Sequence, residues 1–168
     1  KKKLGYDARI LFYKSIVQHH FDYCAFLFDF MDKKFMDQID KIQRKFLKEI
    51  INKYEDCPKT DVLCAQLKID KVDLRIRINI MKFINNLSIK NDSPEYLKNK
   101  IYKKSNDRNR KLRNDDELKI NLYKVGRNSR FFLCNGIREY NEIYTYVIKQ
   151  KLNRNDFVNC CKIFYRNK

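Results

Sequence analysis

Apolar residues recur along the chain at intervals of three and four, in separate blocks. The first block, ARILFYKSIVQ, is apolar at Ile10, Leu11, Tyr13, Ile16 and Val17, close to the 3.6-residue period of a helix. It predicts a helix from Asp7 to about His20 that continues or kinks through FDYCAFLF. The second block, FMDQIDKIQRKFLKEIINKY, places Phe35, Ile39, Ile42, Phe46 and Ile50 at spacings of 4, 3, 4 and 4, with charged residues on the other face. One apolar stripe of this kind marks an amphipathic helix, and Asp32 stands where an N-cap accepts the first free backbone N–H groups. After a break at DCPK, Thr60 is placed to cap a short helix, TDVLCAQL, and a turn at KIDK leads into VDLRIRINIMKFINNLS. There Leu74, Arg77, Met81, Ile84 and Leu87 share a face that Ile78, Ile80 and Phe83 widen, which predicts a mostly buried helix.

Ser93-Pro94-Glu95 supplies an N-cap followed by Pro at the first helical position, opening PEYLKNKIY. The periodicity then stops. KNKIYKKSNDRNRKLR, residues 98–113, carries eight Lys or Arg and one Asp and reads as an exposed loop or disordered tongue. LKINLYKV alternates Leu118, Ile120 and Leu122 against Lys119, Asn121 and Tyr123, as one strand does. SRFFLCNGIREYNEI follows as a helix capped by Ser129, and a last helix, capped near Asn155, carries Phe157, Val158, Cys161 and Phe164. The expected fold is mainly α: a bundle of about six helices with at most a short strand or hairpin near 118–125. Its expected parts are a helical hairpin over 1–55, a helical segment packed on it over 56–102, a basic polar loop over 103–117 and a C-terminal helical subdomain over 118–168.

Composition agrees with helices. Three Gly and two Pro leave little for a turn-rich β protein, while 43% hydrophobic and 14% aromatic residues supply a core. No apolar run reaches the length of a membrane span. KKKLGYDAR lacks an apolar signal core and a start Met, and reads as the cut end of a longer chain. Cys24, Cys57, Cys64, Cys134, Cys160 and Cys161 form no CxxC and fit no common zinc spacing, so they read as reduced thiols in a nuclear or cytoplasmic protein. Charge changes the picture most, because 38 Lys and Arg against 21 Asp and Glu leave a net +17. Abundant Lys, Asn, Ile, Tyr and Phe match an A+T-rich coding sequence, yet such a bias does not deplete Asp and Glu, and it suppresses the Arg that recurs between 108 and 138. The excess fits a polyanionic partner better than a merely soluble basic surface.

The side chains with the most chemistry lie in SIVQHHFDYCAFLF, residues 15–28. His19 and His20 are neighbours, about 100° apart on a helix, and cannot face one metal. The i, i+4 His pair with a Glu that a zinc helix needs is missing. Cys24 follows His20 by four residues, but no orienting third group or oxyanion site accompanies them. The stretch therefore reads as the wall of a core, with Asp22 and Tyr23 fixing a bend by hydrogen bonding. Asp115-Asp116 has no aromatic before it and no strand context, and is not read as a catalytic dyad.

The same stretch resembles the thumb segment that follows the polymerase palm in jockey-like non-LTR retrotransposon reverse transcriptases. Tyr13, Ile16, Val17, Phe21, Asp22, Tyr23 and Cys24 match that family's pattern, with His19 where Pro is usual and Phe28 where Trp is usual. IDKIQRKFLKEI is similar to the family's Leu-Glu-Lys-Ile-Gln-Arg-Arg-Phe helix through Ile42, Gln43, Arg44 and Phe46. LCAQLKIDKVDLRIRINIMKFINNL follows its pattern through Leu63, Leu67, Leu74, Arg75 and Arg77, and SPEYL matches its Pro-x-Tyr-Leu. A basic stretch with Arg108, Arg110 and Arg113 comes next, then Tyr140 in place of a Trp, Asn141 kept, and Phe157 in a closing helix.

The resemblance implies the thumb and post-thumb region of a diverged or decayed copy of such an enzyme, with 1–55 as the thumb-like hairpin. It places the metal-binding palm, with its Mg2+, upstream of Lys1, and leaves this region without a cofactor, a small-molecule substrate or a catalytic residue. The implied partners are RNA and DNA, held as template–primer or element RNA without sequence preference, together with the palm itself. Two basic surfaces are candidates for that contact. One is the tongue, with Lys98, Lys100, Lys103, Lys104, Arg108, Arg110, Lys111 and Arg113. The other is Arg127, Arg130 and Arg138 flanking Phe131, Phe132 and Tyr140, whose ring faces can stack on unpaired bases, with Phe131 and Phe132 as core residues in the alternative reading. A rival reading from another class is an α-helical protein-interaction module that docks through the FMDQIDKIQRKFLKEI stripe. Under the polymerase reading that stripe is buried against the first helix, and Ile42→Asp unfolds the domain. A stand-alone nuclease ranks last, because no acids or histidines cluster to hold its metal.

Overall fold

In the computed structural model, which describes residues 4–28, 31–55, 58–89, 94–98, 101–103, 117–120, 132–144 and 154–167, the first apolar block folds as helical pieces in series. They are α1 (Tyr6–Phe12), a π-helical turn (Tyr13–Val17), α2 (Gln18–Tyr23) and, after a break at Cys24, α3 (Ala25–Phe28). The buried side chains are Tyr13, Val17, Phe21 and Ala25, one every four residues. On a regular α-helix each four-residue step over-rotates by about 40°. The wider i→i+5 turn winds the stripe back onto one seam. Leu11 and Ile16, counted as apolar-face residues by a 3.6 period, lie off this seam at 68% and 46% exposure.

Helix α4 (Lys33–Ile51) begins as the sequence predicts, with the Asp32 carboxylate accepting from the Phe35 N–H at 2.9 Å. It ends on Asn52 in the left-handed region, φ 54°. It runs antiparallel to the first helices: Arg9 Nη1 donates to the Glu49 carbonyl at 2.6 Å, the Tyr13 and Phe46 rings lie 6.3 Å apart, and those of Phe28 and Phe35 lie 6.1 Å apart. Its core face differs from the expected stripe. Ile39, Gln43, Leu47 and Ile50 are buried, Phe35 and Phe46 are half-buried, and Ile42 is 43% exposed. The face is turned by one residue because Gln43 goes inward, which a count of apolar positions cannot register. Ile42→Asp is therefore expected to shift stability by no more than about 0.5 kcal/mol in urea unfolding, as at other surface positions. Loss of the folded state would return Ile42 to the core.

Helix α5 (Thr60–Leu67) buries Leu63, Cys64 and Leu67. Lys59 occupies its N-cap, not Thr60; the Thr60 hydroxyl is buried and donates to Asp40 Oδ2 at 2.9 Å. Helix α6 (Val72–Ile89) is largely buried, through Val72, Ile76, Ile78, Ile80, Met81, Ile84 and Leu87. Arg77, expected on the buried face, is exposed. The boundary between the chain's two compact units, Lys1–Arg77 and Ile78–Lys168, falls inside α6.

The second unit holds α7 (Glu95–Lys98), two short strands β1 (Ile101–Lys103) and β2 (Leu118–Ile120), α8 (Phe132–Ile143) and α9 (Arg154–Asn167). The strands pair antiparallel, Ile101 with Ile120 and Lys103 with Leu118. Ile101–Lys103 is thus a strand where the sequence reads as loop. Its partner lies across the tongue, and only that non-local pairing defines it. Gly136 lets α8 come close to α6: a Cβ there would stand 2.5 Å from Ile84 Cδ1 and 2.9 Å from Ile80 Cγ2. Ile137, Tyr140, Ile143, Phe157 and Cys161 complete this core. The expected caps Ser93 and Ser129 lie outside the described residues. No described helix is long and apolar enough to cross a membrane.

Candidate nucleic-acid interface

Of the cations read from the sequence, three fall on described elements. Lys98 closes α7, Lys103 closes β1, and Arg138 stands exposed on α8. Lys100, Lys104, Arg108, Arg110, Lys111, Arg113, Arg127 and Arg130 lie outside the described residues, as do Asp115, Asp116 and Phe131. What is described is the base from which the tongue departs. The chain leaves β1 at Lys103 and enters β2 at Leu118, the residue paired with it. Asn141 of α8 grips that same point. Leu118 N–H donates to Asn141 Oδ1 at 3.0 Å, and Asn141 Nδ2 donates to the Leu118 carbonyl at 2.9 Å. One amide side chain thereby does what a neighbouring strand does, satisfying both backbone groups of one residue. Arg138 precedes Asn141 by three residues, so it emerges beside the helix face that holds the strand.

Tyr140 is not a stacking ring. It is 2% exposed, its hydroxyl donates to Asn85 Oδ1 at 3.0 Å and lies 3.3 Å from Ser88 Oγ, and its ring packs 6.3 Å from that of Phe157. Burial pushes its phenol above the usual range. Its ring is part of the core, which corrects the expectation that it could stack on a base.

In the opening stretch His19 and His20 are exposed, and Cys24 is half-buried. Tyr23 is 82% exposed, so it does not fix the bend. Asp22 makes a two-pronged ion pair with Arg75 across 53 residues, Nε to Oδ1 at 2.9 Å and Nη2 to Oδ2 at 2.5 Å. It ties α2 to α6 instead of bending its own helix. Burial pushes the Cys64 thiol up to about 11 and that of Cys161 up to about 12. Both stay protonated at neutral pH and are poor nucleophiles. Among the described residues no group of three His, Cys, Asp or Glu is placed to hold a metal ion.

The polar centre that pattern reading missed is Gln43, fully buried in the first unit. Its Nε2 donates to Tyr13 Oη at 3.0 Å and to the Asp70 carbonyl at 3.1 Å, and its Oε1 accepts from the Val72 N–H at 3.1 Å. Burial pushes the Tyr13 phenol up to about 12, against the opposite pull of the Gln43 bond. A signal was present: Gln43 lies four residues after Ile39 and four before Leu47, on their seam. Apolar surface also remains uncovered. Leu11, Phe12, Ile16 and Leu27 are exposed, and a cavity of about 380 Å³ opens between α1 and the end of α4, lined by Leu4, Arg9, Phe12, Phe46, Ile50 and Tyr54 among others. The chain matches no protein-family model, no curated protein and no solved structure.

Proposed function

We propose that this chain is a non-catalytic nucleic-acid-binding region, the C-terminal part of a non-LTR retrotransposon RNA-directed DNA polymerase, and that it holds template–primer or element RNA through phosphate contacts. The observation that carries the reading is where the charge resides. Residues 78–168 hold 21 Lys and Arg against 9 Asp and Glu, net +12 of the chain's +17. Within that unit the part of the tongue that carries Lys104, Arg108, Arg110, Lys111 and Arg113 follows β1 and precedes β2 in the chain, and those two strands are paired, with β2 held to α8 by Asn141. The positions that carry the family resemblance add support. Tyr13, Gln43, Asp22, Arg75 and Asn141 make the long-range polar contacts that specify the two units, as residues of a shared fold pattern do. Chemistry belongs in this reading to an upstream palm with its Mg2+, so the chain alone does not polymerise.

With about five phosphates neutralised on a single strand or duplex, log affinity falls against log salt with a slope of about −3.5 to −4.5. Filter binding of the chain to single strands and RNA–DNA hybrids between 50 and 300 mM salt, a range on the order of that over which such contacts weaken, measures it. Arg108→Ala, Arg110→Ala and Arg113→Ala together should flatten the slope by about 2–3. A flat wild-type response discards the reading. Sequence preference is not expected, because backbone contacts carry none. The second reading, a protein-interaction module, is favoured by the exposed apolar side chains of the first helices, and it predicts association that salt does not weaken.

A further inference from the structure

Lys34, Lys41 and Lys45 form a row along α4, and none of them is among the cations assigned above. At 100° per residue they fall within an arc of about 40°, with rises of about 10.5 and 6 Å between them. All three are exposed, as is the neutral Gln38 that sits between the first two. The row occupies the pole opposite Gln43, Leu47 and Ile50, so the contacts that bury one face aim the other at solvent. The helix is a firm support: nineteen residues, capped at its start by Asp32 and hydrogen-bonded at mid-length through Gln43.

Several carboxylates of this unit are engaged away from the row. Asp40, on the same helix, is drawn sideways to the Thr60 hydroxyl and to Lys71, which also pairs with Asp61 at 2.8 Å; Asp22 pairs with Arg75. Among the described residues these ion pairs involve none of Lys34, Lys41 and Lys45, while Asp37 and Glu49 flank the row one helical turn from Lys41 and Lys45 and offset part of its charge. A lysine row of this kind suits a phosphodiester backbone, which offers closely spaced charges along its length. It suits a lipid surface less well. A helix that lies on a membrane sets apolar side chains beside its cations, and here Ile42, on the flank, is the one large apolar side chain of α4 that is well exposed.

We infer that Lys34, Lys41 and Lys45 of α4 form a second phosphate-binding surface, in the first unit, that tracks the backbone of a nucleic-acid strand. The inference rests on the reading of the chain as a nucleic-acid binder, and it adds a rigid helical contact to the tongue.

The test uses the full chain and a fluorescein-labelled 20-nucleotide RNA, alone and annealed to complementary DNA, with anisotropy read across a salt series. Lys34→Gln, Lys41→Gln and Lys45→Gln combined should weaken binding roughly tenfold or more at 0.1 M salt and flatten the salt slope by about 2–3. Arg at the same three positions should restore both, since it keeps the charge, and the melting temperature should stay at the wild-type value in both variants. Unchanged affinity and slope in the Gln variant, beside a wild type that binds, overturns the α4 surface and leaves the tongue reading standing. A wild type that binds neither probe overturns both. Phosphatidylserine vesicles in parallel cosedimentation provide the last arm: loss of vesicle binding with RNA binding intact assigns the row to a lipid surface and overturns the inference.

Discussion

Gln43→Leu is expected to lower the stability of the first unit by roughly 2–4 kcal/mol. Leucine matches the shape of the seam but leaves three groups behind it: the Tyr13 hydroxyl, the Asp70 carbonyl and the Val72 N–H, each now within 3.1 Å of the Gln43 amide. Stranding a buried polar group costs about 1–3 kcal/mol, and the Tyr13 hydroxyl and the Val72 N–H lose a buried bond each while the Asp70 carbonyl is only part-buried, with the apolar gain of the leucine as a partial offset. The network also has a positional role, because Gln43 joins the first helical run to the turn that starts α6. Tyr13→Phe removes one partner only and is expected to cost about 1 kcal/mol. Urea unfolding followed by far-UV circular dichroism separates the two. Equal, small losses for both variants would remove the network from the list of what holds this unit.

Gly136→Val should cost the second unit about 3 kcal/mol. The Cβ alone would press on Ile84 and Ile80, which are 0% and 2% exposed and so have nowhere to retreat. Ile80 is β-branched and stiff, so relief has to come from shifting α8 away from α6. Gly136→Ala tests the argument from the other side: it gains about 1 kcal/mol of helix propensity over glycine, which offsets part of the same clash. The expected order is wild type, then Ala, then Val in melting temperature, and an Ala variant more stable than wild type would show that the close approach yields easily.

These substitutions act on stability, and the functional tests are built to avoid them. The tongue arginines and the α4 lysines are read through salt slopes at constant fold, so failure of one surface does not remove the other. Asn141 stands between the two kinds of residue. It touches no proposed ligand, yet its paired bonds to Leu118 set the base from which the tongue departs.

The helices of this chain were legible in its sequence because each depends on local spacing. The interval of three and four, the cap at Asp32, the long apolar run of α6 and the last helix through Phe157 and Cys161 all follow from which residues lie within one turn of each other. The excess of positive charge was legible too, because it is a sum over residues. What the sequence could not determine was which face of a helix turns inward when a polar side chain has a distant partner. Gln43 enters the core for a tyrosine 30 residues before it and a turn 27 residues after it, and this rotates α4 and leaves Ile42 outside. Ile101–Lys103 becomes a strand only because residues 118–120 reach it, and Tyr140 becomes core because Asn85, 55 residues earlier, accepts its hydroxyl. Each of these was decided by tertiary structure for one physical reason: a buried polar group must find its hydrogen-bond partner, and the distance to that partner along the chain is not written in any local pattern.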